Sequence, residues 1–362
     1  MGSIWGEKLK ISVFGESHGE AIGVVLDGFP AGMALDSGEI AAMMAKRAPG
    51  KAAFATSRKE EDLPEILSGL HNGITTGAPI CAIIRNTSQR SADYSALLGK
   101  PRPGHADYTA GVKYNGYNDT RGGGHFSGRL SAPLLFAGAA CMQALKKHGI
   151  AIGAHALEIA GVRDESFDPV KIDKKILKQI EKKEFPVLND EAGEEMVARI
   201  LAAEHAGDSV GGIVECAIVN IPAGIGEPML HGLDSVIASI VFSIPAVKGV
   251  SFGAGFAAAN LLGSQNNDAF YMDGSTVRTR TNHAGGVLGG ISTGMPVIFH
   301  AAFKPTPSIR IKQETVDLIK RENCTIEIQG RHDPCIVPRA VPVVEGAAAV
   351  AVLDMMLQAG KY

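Results

Sequence analysis

The sequence predicts an α+β fold, because its strand-like and helix-like segments are grouped rather than strictly alternating. Two strand-like runs, at 8–14 and 21–27, follow each other near the N-terminus and indicate a pair of neighbouring strands. Short apolar runs at 80–86, 212–220 and 294–303 indicate further strands.

Helices are predicted between these strands and at the end of the chain. Apolar helical patterns occur at 37–47, 127–148, 231–242 and 343–358. A charged helical segment at about 165–205 is interpreted as a solvated excursion that carries no chemistry. No linker-like stretch divides the chain, so residues 1–362 are predicted to form one domain.

The composition excludes several classes of protein. The chain has 35 basic and 38 acidic residues and a net charge of −3, so no basic surplus attracts nucleic acid or anionic lipid. Its five cysteines are scattered and form no CxxC motif, which argues against a zinc site and suits a reducing, cytoplasmic setting. The apolar run at 132–144 is shorter than the roughly 20 residues of a membrane span, and no membrane partner is predicted.

Two generic motifs and the glycine clusters concern possible active sites. Residues 15–19 and 207–211 both fit GxSxG, but each is followed by a strand-like run rather than the helix of a nucleophile elbow, so a serine hydrolase is an unlikely alternative. The 44 glycines cluster at 122–124, 285–286 and 289–290, which suggests a ligand lined by backbone. The loop-rich stretch 89–125 is predicted to be functional or disordered.

Seven segments, in order along the chain, resemble the chorismate synthase family. They are GESHG at 15–19, NTSQRSADYSALLGKPRPGHADYT at 86–109, RGGGHFSGRLSAP at 121–133, PAVKGVSFGAGF at 245–256, NHAGGVLGGISTG at 282–294, FKPTPS at 303–308 and GRHDPCIVPRAVPVVE at 330–345. The resemblance implies a helical core sandwiched between antiparallel sheets, a homotetramer, and a lyase. That lyase converts 5-enolpyruvylshikimate-3-phosphate to chorismate and phosphate by 1,4-anti elimination with reduced FMN, the last shared step toward aromatic amino acids.

Three catalytic residues follow from the resemblance. His105 matches the histidine that protonates the leaving phosphate, a task that imidazole suits at neutral pH. His18 matches the histidine placed by the flavin, and Asp333 matches the aspartate that helps to remove the ring proton. Without the resemblance, an aspartate before a proline is ordinarily a turn former.

The substrate carries two carboxylates and a phosphate, for which guanidinium groups are suited because they stay charged and bind bidentately. The resemblance points to Arg47, Arg129 and Arg339, with Ser17 beside them. Ser17 could instead be a plain turn residue.

The cofactor implied is reduced FMN, supplied by an external flavin reductase, since the chain lacks the long insertions of family members that reduce flavin with NADPH. The residues predicted to bind it are His125, Phe126, Ser127, Ala246, Gly289, Lys304, Pro305, Thr306, Pro307, Ser308 and Arg331. Of these, Ser127 could instead be a helix cap.

The chain departs from the family pattern at several positions. His125 and Phe126 stand where many members have Arg-Ser, Lys46-Arg47-Ala48 replaces a run of three arginines, Ala53 replaces another arginine, and Pro245 replaces an asparagine. These departures put the flavin and substrate contacts there in doubt. They leave open the alternative of a flavin-binding protein of the same fold without lyase activity.

Overall fold

The computed structural model describes residues 2–48, 62–87, 99–328 and 333–362. Within them the strands are β1 Ile4–Trp5, β2 Lys10–Gly15, β3 Ala21–Asp27, β4 Pro64–Ser68, β5 Leu70–His71, β6 Ile74–Thr75, β7 Ile80–Arg85, β8 Ala151–Ile159, β9 Val162–Arg163, β10 Gly212–Val219, β11 Val247–Phe252, β12 Phe270–Asp273, β13 Thr276–Thr279, β14 Val287–Leu288, β15 Ile291–Ser292, β16 Val297–Phe303, β17 Gln313–Asp317 and β18 Glu322–Ile326. The helices are α1 Ser37–Arg47, α2 Asp107–Lys113, α3 Ser131–Lys147, α4 Lys174–Lys182, α5 Asp190–His205, α6 Leu233–Phe242, α7 Gly263–Asn266 and α8 Val337–Gln358.

Two antiparallel five-stranded sheets enclose the main helices, which confirms the predicted α+β class. The first sheet has the strand order β1-β2-β3-β7-β4, and the second has the order β11-β16-β10-β8-β9. Helix α3 packs on β3 and β7 of the first sheet, and α8 packs on β8 and β10 of the second. Because α3 and α8 also pack on each other, the layers run sheet, helices, sheet.

Glycine permits the close approach of the two central helices. A Cβ atom on Gly138 of α3 would overlap the backbone of Gly346 on α8, so neither position tolerates a side chain without a shift. Helix α8 has 22 residues and a mean hydropathy of 1.8, enough by length and composition to cross a membrane. However, 89% of its apolar stretch is buried inside the protein, as in the core helix of a globular fold.

Several predicted boundaries are wrong. Helix α8 begins at Val337 rather than at 343, because Pro338 is tolerated in the first turn and Pro342 costs one backbone hydrogen bond inside the helix. Helix α3 begins at Ser131 rather than at 127, since 121–126 and 128–130 form short 3-10 turns. The prediction missed β8, a strand that is apolar on both faces and shows no alternation.

The charged segment at 165–205 forms helices α4 and α5, as predicted, but it is not merely solvated. Leu177 and Ile180 of α4 are buried, and Leu177 packs against Gly153 of β8. A buried row of charged groups lies under the same segment: His155 on β8 contacts Asp164 at 2.9 Å and Glu215 on β10 at 2.8 Å. The excursion is therefore anchored to the second sheet by apolar and ionic contacts.

Candidate active site

A tight turn between β2 and β3 buries two of the predicted site residues. Ser17 and His18 are 1% and 5% exposed. The Ser17 amide donates a hydrogen bond to the Gly124 carbonyl at 3.1 Å. Gly15 enters this turn with a φ of 95°, a conformation that favours glycine. The turn thus holds both side chains against the segment that contains Gly124.

The run Gly122–Gly124 lies between two predicted catalytic histidines. All three glycines have positive φ, at 60°, 86° and 54°. A Cβ atom on Gly122 would overlap the His18 ring, and one on Gly123 would lie 3.0 Å from Cε1 and Nε2 of His105. Only glycine combines this backbone with such close approach, so the triglycine run brings His18 and His105 to adjoining positions.

His105 belongs to a tightly bonded unit with two charged neighbours. Its Nδ1 lies 2.5 Å from Oδ1 of Asp107. Arg102, 5% exposed, donates from Nε to Oδ2 and from Nη2 to Oδ1 of Asp107, both at 2.8 Å. Burial works against ionisation of Asp107, but the hydrogen bonds from Arg102 and His105 outweigh it and hold the pKa of this carboxyl well below its usual range.

The three arginines predicted to bind the substrate converge on one another. Arg47 and Arg129 both donate to the buried carboxylate of Asp62, Arg129 at 2.5 Å. Arg339 donates from Nε to the Arg47 carbonyl at 2.7 Å and from Nη1 to the carboxylate of Asp333. Among the described residues, three guanidinium groups thus face two carboxylates, a positive surplus that suits an anionic ligand.

The electrostatics of the arginine cluster reflect burial and mutual repulsion. Burial, together with the nearby charge of Arg339, lowers the pKa of Arg47 despite its pairing with Asp62. Burial alone would raise the pKa of Asp62, but Arg47 and Arg129 lower it, so this carboxyl stays ionised. A ligand anion would relieve the repulsion between the guanidinium groups.

Asn86 joins the histidine turn to the arginine cluster. Its amide nitrogen donates to the carbonyls of Glu16 and Gly19 at 3.0 and 2.9 Å, and its amide oxygen accepts from Nε of Arg129 at 2.6 Å. The backbone of Arg129 in turn donates to Oγ of Ser127 at 3.3 Å, so Ser127 acts as a cap here. The predicted catalytic and substrate residues therefore form one connected site.

Part of the predicted FMN set lies beside this site. Lys304 donates from Nζ to the Gly104 carbonyl at 2.6 Å, next to His105, and Ser308 accepts from Nη1 of Arg102 at 3.2 Å. Ala246 has a φ of 76°, and its carbonyl accepts from the Lys304 amide at 3.0 Å. Among the described residues, the buried Oγ1 of Thr306 has no hydrogen-bond partner. Pro305 and Pro307 complete the segment.

Two other predicted FMN residues, His125 and Phe126, make contacts within the chain. Both ring nitrogens of His125 are engaged within the chain: Nδ1 donates to the Gly15 carbonyl at 2.8 Å, and Nε2 lies 3.0 Å from Oγ of Ser3. Phe126 packs against Tyr114, with the ring centroids 6.2 Å apart. His125 therefore serves here to fix the turn through both of its ring nitrogens.

Gly289 is not brought to the rest of the set. It lies in the turn between β14 and β15. The carbonyl of the following residue, Gly290, accepts a hydrogen bond from the amide of Leu233 at the start of α6, whereas Ala246 follows the other end of that helix. A ten-residue helix is about 15 Å long. The space around a Cβ atom on Gly289 is open. Arg331 and the departure at Ala53 lie outside the described residues.

A cavity of about 250 Å³ adjoins the arginine cluster. Its walls include Arg339, Lys46, Ile180 and the carboxyl of Glu345. Burial raises the pKa of Glu345 to about 7, although its Oε1 accepts from the Ala154 amide at 2.8 Å.

Sequence reasoning missed four site residues: Asp62, Asn86, Arg102 and Asp107. Arg102 and Asp107 stand in the motif that contains His105, and their charge beside it is a signal that could have found them. Asp62 carries no such signal, because its partners Arg47 and Arg129 are far away in sequence.

The serine hydrolase alternative does not fit the geometry. A nucleophile elbow passes from a strand to a helix. Ser17 lies between strands β2 and β3, and Ser209 precedes β10 and donates from Oγ to the Thr306 carbonyl at 2.7 Å. Neither serine occupies such an elbow.

The fold brings a cluster of three arginines close to the buried His18 and the partly buried His105, an arrangement that suits a protein acting on an anionic ligand. The family model of chorismate synthase matches residues 9–357, and the chain belongs to that family. This confirms the resemblance seen in the sequence and makes the chain an enzyme of the lyase class.

Similar proteins span nearly the whole chain. The chorismate synthase of Korarchaeum cryptofilum is 46% identical over 357 residues, which is 99% of this chain and 98% of that protein. That of Thermococcus kodakarensis is 47% identical over 354 residues, 98% of this chain and 97% of the other. A crystal structure of chorismate synthase matches with a TM-score of 0.76 and 28% identity, over 98% of this chain and 93% of that one.

Proposed function

We propose that the protein converts 5-enolpyruvylshikimate-3-phosphate to chorismate and phosphate, with reduced FMN as cofactor. The observation that carries this proposal is the connected site in which His18, His105 and the arginine cluster meet around Gly122–Gly124. Family membership supplies the reaction, and the geometry supplies a role for each group.

Substrate binding falls to the arginine cluster. Arg47, Arg129 and Arg339 carry a surplus of positive charge over Asp62 and Asp333, and the substrate brings two carboxylates and a phosphate. Because the guanidinium groups are already held by carboxylates and carbonyls, they lose little freedom when the substrate binds. Ser17 lies next to His18 and is placed to donate to the same ligand.

His105 protonates the departing phosphate. Its Nδ1 faces Asp107, which leaves Nε2, on the side of Gly123, as the nitrogen that delivers the proton. Asp333, held by Arg339 of the arginine cluster, helps to remove the ring proton. Separate residues therefore handle the two ends of the elimination.

FMN fits the chain beside His105. The unpartnered hydroxyl of Thr306, the partly buried ammonium of Lys304 and the hydroxyl of Ser308 can meet its ribityl and phosphate groups. Burial, reinforced by nearby Lys248, lowers the pKa of Lys304, and an anion bound there would counter both effects. When bound, reduced FMN supplies electron density to the substrate as phosphate leaves, and His18 is placed to hold a proton next to it.

We further propose a homotetramer, a cytoplasmic location and an external flavin reductase as partner. Apolar side chains that a single copy leaves in water support the assembly: Met229, Leu230 and Phe256 are 85%, 91% and 88% exposed. Gly289 precedes Gly290, whose carbonyl bonds to the amide of Leu233 shortly after Met229 and Leu230. A neighbouring copy that covers these side chains could complete the cofactor contacts at Gly289. Light scattering that gives a monomer mass would contradict the assembly.

Replacement of His105 by Ala tests the assignment. We expect turnover to fall by about 10²–10⁴-fold while FMN still binds, since general acid catalysis contributes that much. His71→Ala, at an exposed histidine on β5, is the matched control and should leave turnover unchanged. Near-normal turnover of His105→Ala would remove His105 from the reaction. Bound FMN without turnover in the unaltered protein would favour a non-catalytic flavin protein.

A further inference from the structure

Arg102, His105 and Asp107 form a unit in which a guanidinium and a carboxylate both contact one imidazole. The Asp107 carboxylate is 2.5 Å from Nδ1 of His105. Nη2 of Arg102 is 3.1 Å from Nδ1 and 3.3 Å from Nε2 of the same ring. An anion stabilises the protonated ring and a cation destabilises it, so the two neighbours act on His105 in opposite senses.

Arg102 and Asp107 are also locked to each other. Besides its two side-chain bonds, Arg102 donates from its amide to Oδ2 of Asp107 at 3.0 Å, and Nη1 is held by Ser308. The guanidinium is 5% exposed and the Asp107 side chain 20%, so solvent screens this unit little. The orientation of His105 is thus built into a rigid, charge-balanced support.

We propose that Asp107 and Arg102 are positioning residues that keep Nδ1 of His105 engaged with Asp107, so that Nε2 is the nitrogen that delivers the proton, and that set in opposite directions the pH range in which His105 acts as an acid. This inference rests on the proposed function, because it deepens the role given to His105. Neither residue touches the reacting atoms; each acts through the imidazole.

Other charged and titratable groups on the segments around His105 stay constant in the test. Lys304, on the segment after β16, bonds to Gly104, and His18 lies behind Gly122. Near the triglycine run, Asp119 and Arg121 pair with each other at 2.8 Å. On α2, Lys113 lies near the Tyr114 ring, 5.8 Å from its centroid.

The test compares single-turnover rates across pH for enzyme loaded with reduced FMN. Activity needs the protonated ring, so it declines as pH rises. In Asp107→Asn the stabilising anion is lost, and the midpoint of the decline should move to lower pH by about one unit. In Arg102→Gln the opposing cation is lost, and the midpoint should move to higher pH by about one unit. Arg102→Lys keeps the charge and should restore the original midpoint.

A spectroscopic measurement separates positioning from folding and from activity. In protein carrying ¹⁵N-histidine, the His105 signals, assigned by their loss in His105→Ala, should show the Nδ1–H tautomer at high pH. Asp107→Asn should lose this preference. Opposite shifts in the two variants support the proposal. Reduced rates with unmoved midpoints, or shifts in the same direction, would overturn it and leave a purely structural role.

Failure of the positioning role and failure of the proposed function give different results. If the unaltered protein forms chorismate but the midpoints do not separate, the positioning role falls and the proposed function stands. If the unaltered protein forms no chorismate, the proposed function falls, and with it the role of this unit in the reaction.

Discussion

Two histidines of this protein, the partly buried His105 and the fully buried His155, have similar partners and different tasks. His105 contacts one carboxylate and one guanidinium, sits in a loop against glycine, and keeps 15% of its side chain exposed. His155 lies in the middle of β8, contacts Asp164 and Glu215, and has no exposed surface. Glu215 also accepts from His300 on β16 at 3.1 Å.

The difference shows how surroundings decide the role of a charged group. Around His105 the nearby clusters carry excess positive charge and the ring can reach a ligand. Around His155 the two carboxylates are fully used: Asp164 also accepts from the amides of Leu188 and Asn189, and Glu215 from that of Phe167. The second network closes on itself and fastens the charged excursion to the second sheet.

The largest expected effect is a loss of activity when the arginine cluster of the candidate active site is changed. Arg129→Ala should lower kcat/KM by about 10³-fold, because it removes a guanidinium from the substrate cluster and leaves Asp62 with less compensation. Steady-state kinetics with reduced FMN measure this. Arg163→Ala, which breaks an exposed pair with Glu158, is the control and should change little. Equal losses in both variants would count against the site.

A change in the His155 network should lower the stability of the protein rather than its activity. His155→Ala leaves two buried carboxylates facing each other and should lower the free energy of unfolding by about 3 kcal/mol. Denaturant unfolding measures it. Activity per folded molecule should stay within about twofold, since the cluster makes no contact with the site residues described above. A large loss of activity in fully folded protein would contradict the separation of the His155 network from the candidate active site.

The same cluster should give stability a defined dependence on pH. Burial alone would lower the pKa of His155, but its bonds to Asp164 and Glu215 raise it. That stabilisation is complete below about pH 6.5 and is lost as pH rises through the raised pKa. Burial would raise the pKa of Glu215, but bonds from His155 and His300 lower it to about 2. Its stabilisation is present above about pH 4.5 and is lost as pH falls toward 2.

The cluster therefore stabilises most between about pH 4.5 and 6.5. Unfolding free energies of the unaltered protein and of His155→Ala, measured from pH 3 to 9, should differ most in this window and by about 2 kcal/mol less at about pH 3. A difference that does not vary with pH would contradict an ionic origin.

The smallest expected effect is an increase in stability. Glu345 has a raised pKa of about 7, so its protonated form is favoured in the fold and stability falls as pH rises from about 4.5 to 7. Glu345→Gln keeps an acceptor for the Ala154 amide and cannot ionise. It should stabilise the protein by about 1 kcal/mol at about pH 8 and leave it nearly unchanged at about pH 4, where the carboxyl is largely protonated in both states. Glu184→Gln, at the same cavity, is the control in thermal unfolding at both pH values.

The comparison also explains what the sequence could reveal. The pairing of β2 with β3 and the helical character of α3 and α8 follow from local patterns, and the motifs mark His18, His105 and Asp333. The partnership of Asp62 with Arg47 and Arg129, and the bridge through Asn86, join segments up to 70 residues apart, which no local pattern encodes. The start of α8 was missed because Pro342 ordinarily ends a helix. That residues 1–362 form one domain stays a prediction.

The most direct test of the central claim is chorismate formation from 5-enolpyruvylshikimate-3-phosphate under anaerobic conditions, with FMN reduced by dithionite. The arginine cluster and the paired histidines predict turnover that disappears when FMN is oxidised and falls strongly in His105→Ala. Tight FMN binding without any chorismate would contradict the assignment, and the site would then belong to a flavin protein without lyase activity.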